Sequence, residues 1–160
     1  QRGSYQARQS NGESPLNLYE VALDLAVMAH EDQVDKNGSP YIEHPKRVAA
    51  AVQMQVGSPL DPAVIVALLH DVVEDSDFDL EGIQSIFGDR ITQAVEVITH
   101  RKNEPLVDYY QRIKADPIAL MVKFADIIDN SDPDRLASLD QETADRLSLK
   151  YRKATHALMG

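Results

Sequence analysis

Three features of the sequence predict an all-α, single-domain fold. Apolar side chains recur at the i, i+3, i+4 spacing of a helix facing a core, as Leu18, Val21, Ala22, Leu25 and Met28 do. Pairs that start helices, Asp61-Pro62 and Asp116-Pro117, and glycines that stop them, Gly57 and Gly88, punctuate the apolar segments. No segment alternates convincingly with the two-residue period of a strand, and no stretch repeats another. With 160 residues, 43% hydrophobic and 26% charged, the chain has the size and composition of one globular domain.

The first helix is expected over residues 17–33, followed by a turn at VDKNGSP, where Asn-Gly and Pro break the pattern. A second helix, 42–56, buries Val48, Ala49 and Val52 and stops at Gly57. Asp61 caps a third, whose apolar run VIVALL leads into an acidic end. Asp79 caps a short helix closed by Gly88, and another carries Ile91, Val95 and Ile98 to residue 99. HRKNEP is a loop, residues 106–115 are helical, and Asp116-Pro117 opens a buried helix over 118–130. The last helix, 141–159, puts Ala144, Leu147, Tyr151, Ala154 and Leu158 on one stripe, which either closes the core or pairs with a second subunit.

Composition narrows the chemistry. With no cysteine, disulfides, thiolate metal sites and thiol nucleophiles are excluded. No apolar run approaches a membrane span, and no secretory signal is visible, so a cytoplasmic location is the expectation. A net charge of -10 argues against binding nucleic acid or anionic membranes. A small anionic substrate is still admitted, because a metal and a few cations can reverse the potential within one pocket. Residues 1–15 are polar and aperiodic and read as a flexible leader, with the domain proper over 16–160.

The segment ALLHDVVEDSD concentrates the ionisable groups. His70, Asp71, Glu74 and Asp75 follow an apolar run, and on one continuous helix His70 would share a face with Glu74, and Asp71 with Asp75. Imidazole beside crowded carboxylates is a ligand set for a divalent cation. The plain alternative is a solvated acidic helix end, disfavoured because carboxylates at a helix C-terminus oppose its dipole. His44, fixed before Pro45 at a helix start, is a further candidate ligand or else a capping or core histidine. Asp126 lies in an apolar run where an unpaired carboxylate is costly, so it binds a metal or pairs with Lys123. Asn130 shares its face one turn on. Two His and two Asp suit Mn²⁺, Fe²⁺, Mg²⁺ or Zn²⁺. His30 reads as a supporting or structural histidine, and His100 and His156 as exposed.

The order His44, His70-Asp71, Asp126 resembles the ligand order of HD-domain metal-dependent phosphohydrolases. GSPYIEHPKRVA, HDVVED and VKFADIIDN are similar to the hydrolase domain of RelA/SpoT enzymes and their short single-domain relatives, which remove the 3′-pyrophosphate of (p)ppGpp. The resemblance implies an HD-type helical bundle, with His44, His70, Asp71 and Asp126 holding a metal, Mn²⁺ first among the candidates. It implies that Glu74 and Asp75 position and deprotonate water and that Asn130 contacts the nucleoside. No synthetase domain is expected in the remaining residues. Lys36, Arg101, Lys102 and Arg112 are candidate phosphate contacts. Two positions depart from the pattern: Asp35 stands where the family has an arginine packed on guanine, and Asp132 where it has another arginine. Hydrolysis of a different nucleotide or phosphoester, or nucleotide sensing without turnover, are the competing readings.

Overall fold

The computed structural model describes residues 17–160, and the leader expected over residues 1–15 lies outside the described residues. The regular structure of the described residues is all helical, apart from one isolated bridge between Val34 and Pro40. α1 (Leu18–Ala29) starts at Asn17, whose side chain accepts from the Tyr19 amide. It stops short of the expected residue 33, because Asp32 turns the chain through a left-handed conformation at φ 64°. α2 (Glu43–Val56) ends at Gly57, which takes the left-handed capping position at φ 82°.

α3 (Pro62–Leu69) is capped by Asp61, and every residue from Ala63 to Leu69 is buried. No face of it is polar, so it must sit at the centre of the bundle, and it packs against α1, α2, α6 (Asp89–Ile98) and α8 (Pro117–Asn130). Each large aliphatic side chain so buried contributes roughly 1.5–3 kcal/mol. α4 (Val72–Asp75) and α5 (Leu80–Phe87) follow, the latter capped by Asp79 as expected. α7 (Leu106–Lys114) and α10 (Gln141–Met159) complete the long elements. The stripe on α10 closes the molecule: Ala154 and Leu158 join Tyr109 and Ile113 of α7 and Ile127 of α8 in a second apolar cluster, with Tyr151 packed against it.

Two departures from the sequence expectation matter for the site. α3 does not run through the acidic cluster. It ends at Leu69, and the chain restarts as α4 after Asp71, whose φ of -104° and ψ of -2° lie off the ideal helix. His70 and Glu74, and Asp71 and Asp75, are therefore not stacked on one continuous helix. An unpredicted helix, α9 (Pro133–Ala137), starts at Asp132, whose carboxylate accepts from the Asp134 amide. The Asp132-Pro133 pair repeats the start signal of α3 and α8.

Candidate metal centre

α2, α3 and α8 pack on one another, and their polar residues meet at that junction. His44 stands in the first turn of α2, His70 and Asp71 in the joint between α3 and α4, and Asp126 midway along α8. His44, His70 and Asp126 are all buried, and one ligand atom from each lies within 4.8 Å of the others. His44 Nε2 is 2.8 Å from Asp126 Oδ1 and 3.7 Å from Asp71 Oδ2. His70 Nε2 is 3.1 Å from Asp71 Oδ2 and 3.4 Å from Asp126 Oδ1. The four candidate ligands of the sequence are thus brought together.

The remaining hydrogen bonds fix which atoms face inward. His70 Nδ1 lies 2.6 Å from the Ala67 carbonyl, which can only accept, so Nδ1 carries a hydrogen and the turn's loose carbonyl is capped. Nε2 of the neutral ring then presents a lone pair, and it is buried without a hydrogen-bonding partner. His44 Nδ1 is 2.6 Å from Asp129 Oδ2, while Arg47 grips both oxygens of Asp129 at 2.8 and 3.1 Å. Although burial would raise the Asp129 pKa, the bonds from His44 and Arg47 bring it down to about 2, so it accepts from His44 and leaves that Nε2 facing the cluster too. Two imidazole lone pairs aimed at two carboxylate oxygens fit a divalent cation, and each ring is held from behind by an acceptor.

The electrostatics agree. Burial disfavours a charge on His70, but Asp71 and Asp126 outweigh it and push its pKa well above the ordinary range. Their field favours positive charge at Nε2, whether a proton or a metal cation. Burial would raise Asp126 as well, yet Lys123 and the histidines hold it well below the usual carboxylate range. Lys123 Nζ sits 3.0 Å from Asp126 Oδ2, so the ion pair considered from the sequence exists alongside the cluster, on the other oxygen.

Glu74 and Asp75 are exposed at the rim. Glu74 Oε1 accepts from the His100 amide at 2.5 Å. His100 is therefore not the free surface residue expected: it is half-buried, with its ring 4.6 Å from that of Tyr109, whereas His156 is exposed. Asn130, expected to meet a nucleoside, donates to Asp126 Oδ1 at 3.0 Å. Lys36 is exposed, and Arg101 is exposed with only a 3.6 Å approach to Glu96. Arg112 departs from expectation, since it grips Glu104 at 2.7 Å and donates to the carbonyls of Glu96, Val97 and Thr99. That network fixes the 99–105 loop and leaves the guanidinium little to offer a phosphate. The two anomalous acids are also accounted for: Asp35 pairs with Arg135 at 3.1 Å, and Asp132 caps α9.

Sequence patterning does not single out Asp129, Arg47 or Tyr41, whose hydroxyl donates to Asp71 Oδ2 at 2.6 Å. The available signal was spacing, since Asp129 lies one turn after Asp126 and Arg47 one turn after His44. Asp129→Ala is expected to weaken binding of a divalent cation about 10–100-fold. Calorimetric titration of the variant with Mn²⁺ tests this, and an unchanged Kd removes Asp129 from any supporting role.

The HD domain model matches residues 22–117, more than half of the chain. The chain is 34% identical over 126 residues to the human guanosine-3′,5′-bis(diphosphate) 3′-pyrophosphohydrolase MESH1, covering 74% of this chain and 70% of that protein. It is 36% identical over 117 residues to the guanosine-3′,5′-bis(diphosphate) 3′-pyrophosphohydrolase of Aquifex aeolicus, although the match spans only 16% of that longer protein. A solved structure of a metazoan ortholog of SpoT that hydrolyses ppGpp superimposes with a TM-score of 0.76 at 24% identity, over 93% of this chain and 89% of that one. The helical architecture is therefore shared with that solved structure, and by both the model match and the human relative the chain belongs to the HD-domain family.

Proposed function

We propose that the protein is a divalent-metal-dependent nucleotide phosphohydrolase that removes the 3′-pyrophosphate of ppGpp, working with Mn²⁺ in the cytoplasm, and that residues 16–160 are its hydrolase domain. The convergence of the His44 and His70 Nε2 atoms on carboxylates of Asp71 and Asp126 carries this reading. The naming of the relatives as pyrophosphohydrolases supports the substrate. A divalent cation held by these four residues would make water more acidic and polarise a phosphoryl oxygen.

Glu74 and Asp75 supply the proton transfer. Although its outer edge is exposed at the rim, partial burial raises the Glu74 pKa, and Asp71 and Asp75 add to the rise against the hydrogen bond from the His100 amide. Burial and Asp71 likewise raise Asp75, against the three nearby histidines. A carboxylate shifted towards neutrality exchanges protons most effectively near physiological pH. One of the pair takes the proton of the attacking water as its oxygen bonds to phosphorus, and the proton returns to the 3′ oxygen as the P–O bond breaks.

Phosphate recognition draws on α10. Partial burial lowers the pKa of Lys150, an exposed residue of α10, and the charges of Lys123, Lys36 and Arg146 lower it further. In a chain of net charge -10 such a grouping suits a polyphosphate. Asn130, Lys36 and Arg101 keep their proposed contacts with the substrate.

Asp35 favours a second reading. Its carboxylate, tied to Arg135, replaces the side chain that packs on guanine in the resembling enzymes, and a different nucleotide base would not need that partner. Incubation with Mn²⁺ and a panel of ppGpp, ppApp, NADPH and simple nucleotides separates the two. Release of pyrophosphate from ppGpp is the expected result. Turnover of another member alone establishes the second reading, and no turnover by Mn²⁺-loaded protein overturns both.

A further inference from the structure

Glu74 and Asp75 stand on α4, four residues long and too short to hold itself in place. From the preceding turn, the Asp75 amide donates to the Asp71 carbonyl at 3.0 Å. The last carbonyls of α4 face outward from a helix end and need donors. The Asp75 carbonyl obtains one from far away in the chain: Gln33 Nε2 donates to it at 2.7 Å.

The same nitrogen donates to the Ala29 carbonyl at 3.2 Å, in the last turn of α1. One side-chain amide thus ties the C-terminal ends of two helices together. With the nitrogen committed to two carbonyls, Gln33 Oε1 must face the other way, where it lies 2.9 Å from His30 Nδ1. An amide oxygen only accepts, so His30 donates from Nδ1. His30 is 3% exposed, and its Nε2 is buried with no hydrogen-bonding partner in the protein. Burying an unpartnered nitrogen is costly, which is a poor bargain for a mere spacer and points to the Nδ1 bond as what the ring is there to make. The ring also lies 4.9 Å from Tyr41, the residue whose hydroxyl holds Asp71. Asp32, in its left-handed turn, folds Gln33 back onto α4.

We propose that Gln33, oriented by His30, is the positioning residue for the Glu74–Asp75 pair: its amide joins the ends of α1 and α4 and sets the carboxylates against the metal-binding residues. The catalytic half of this inference rests on the phosphohydrolase reading above, and the structural half does not. Gln33→Glu is the sharpest probe, because it keeps the shape and the acceptor for His30 while removing the donor to both carbonyls. His30→Ala releases the orientation of Gln33, and His30→Asn, which restores an N–H at the same position, recovers it.

Hydrogen exchange of the intact, metal-free protein is measured first. Gln33→Glu is expected to speed exchange of the amides in residues 72–78 while the core helices stay protected, with an unchanged Mn²⁺ affinity. In turnover of the nucleotide that the wild type accepts, kcat is expected to fall about 10–100-fold, as for other misplaced catalytic groups, with KM near the wild-type value. His30→Ala should share that loss and His30→Asn regain most of it. Unchanged exchange in residues 72–78 overturns the proposal whatever the activity, and so does faster exchange with an undiminished kcat. If the wild type turns over no nucleotide, the functional reading falls, and exchange alone decides whether Gln33 fixes the carboxylate turn.

Discussion

Asp71→Ala is expected to reduce turnover at least about 10³-fold while leaving the melting temperature within about 4 °C of wild type. The activity estimate follows from what a metal centre supplies, several kcal/mol of stabilisation, at one decade per 1.36 kcal/mol. The stability estimate follows from the surroundings. Asp71 shares its corner with Asp126, Glu74 and Asp75, whose charges repel its own, although burial and Asp126 are outweighed by His70 and His44, which hold its pKa below the usual range. Removing one carboxylate relieves that repulsion, which offsets much of the loss of the Tyr41 bond and the 3.1 Å His70 contact. His70 keeps Asp126 at 3.4 Å. Asp126→Ala should behave differently, although it also abolishes turnover. It strips the partner from half-buried Lys123, whose 3.0 Å ion pair is its main compensation for burial, and leaves His44 Nε2 without its 2.8 Å neighbour. Breaking such a pair from one side costs about 3–5 kcal/mol. Thermal melts and pyrophosphate release measured on both variants check the contrast. Equal melting temperatures would show that Lys123 does not depend on Asp126, and an active Asp71→Ala would remove Asp71 from the centre.

The helices were legible where the chain obeys local rules. Asp61-Pro62 and Asp116-Pro117 mark the starts of α3 and α8, and Asp79 and Gly88 bracket α5, because capping and proline geometry act within one turn. The candidate ligands were legible because a histidine or aspartate inside an apolar run has few inexpensive explanations. What stayed hidden depends on contacts distant in sequence. Nothing near Asp129 announces that it backs His44, 85 residues away, and nothing near Gln33 announces Asp75, 42 residues away. The break of α3 at His70–Asp71 was obscured for a related reason. The periodic pattern continues through it, while the His70 Nδ1 bond to Ala67 shows that the helix has already ended. Asp35 belongs with these: the sequence shows an acid in place of an arginine, and its partner, Arg135 on α9, lies 100 residues away.

Ile65→Ala is expected to cost about 2–5 kcal/mol, the range for truncating a buried aliphatic residue where the surroundings close only partly. For a domain of this size that lowers the melting temperature by about 5–15 °C. The upper part of the range is favoured by the position. Ile65 is 1% exposed, and its helix is enclosed by α1, α2, α6 and α8, so no flexible surface can collapse into the space. Met54, 88% exposed on α2, is the matched control, and Met54→Ala should stay within about 0.5 kcal/mol. Because α3 also delivers His70 and Asp71 to the centre, the two ways of responding to the cavity differ in what they do to metal binding. If α3 keeps its register and the cavity stays empty, Mn²⁺ affinity is unchanged at 25 °C and the loss appears only on heating. If the helix shifts to fill the space, His70 Nε2 moves from its 3.1 and 3.4 Å positions against Asp71 and Asp126, and affinity falls together with stability. The first response is expected, because the His70 Nδ1 bond to the Ala67 carbonyl and the close packing of Leu68 and Leu69, both fully buried, anchor the end of α3 independently of Ile65. Denaturant melts of Ile65→Ala and Met54→Ala with parallel Mn²⁺ titrations decide it, and a destabilisation below about 1 kcal/mol would contradict the central placement of α3.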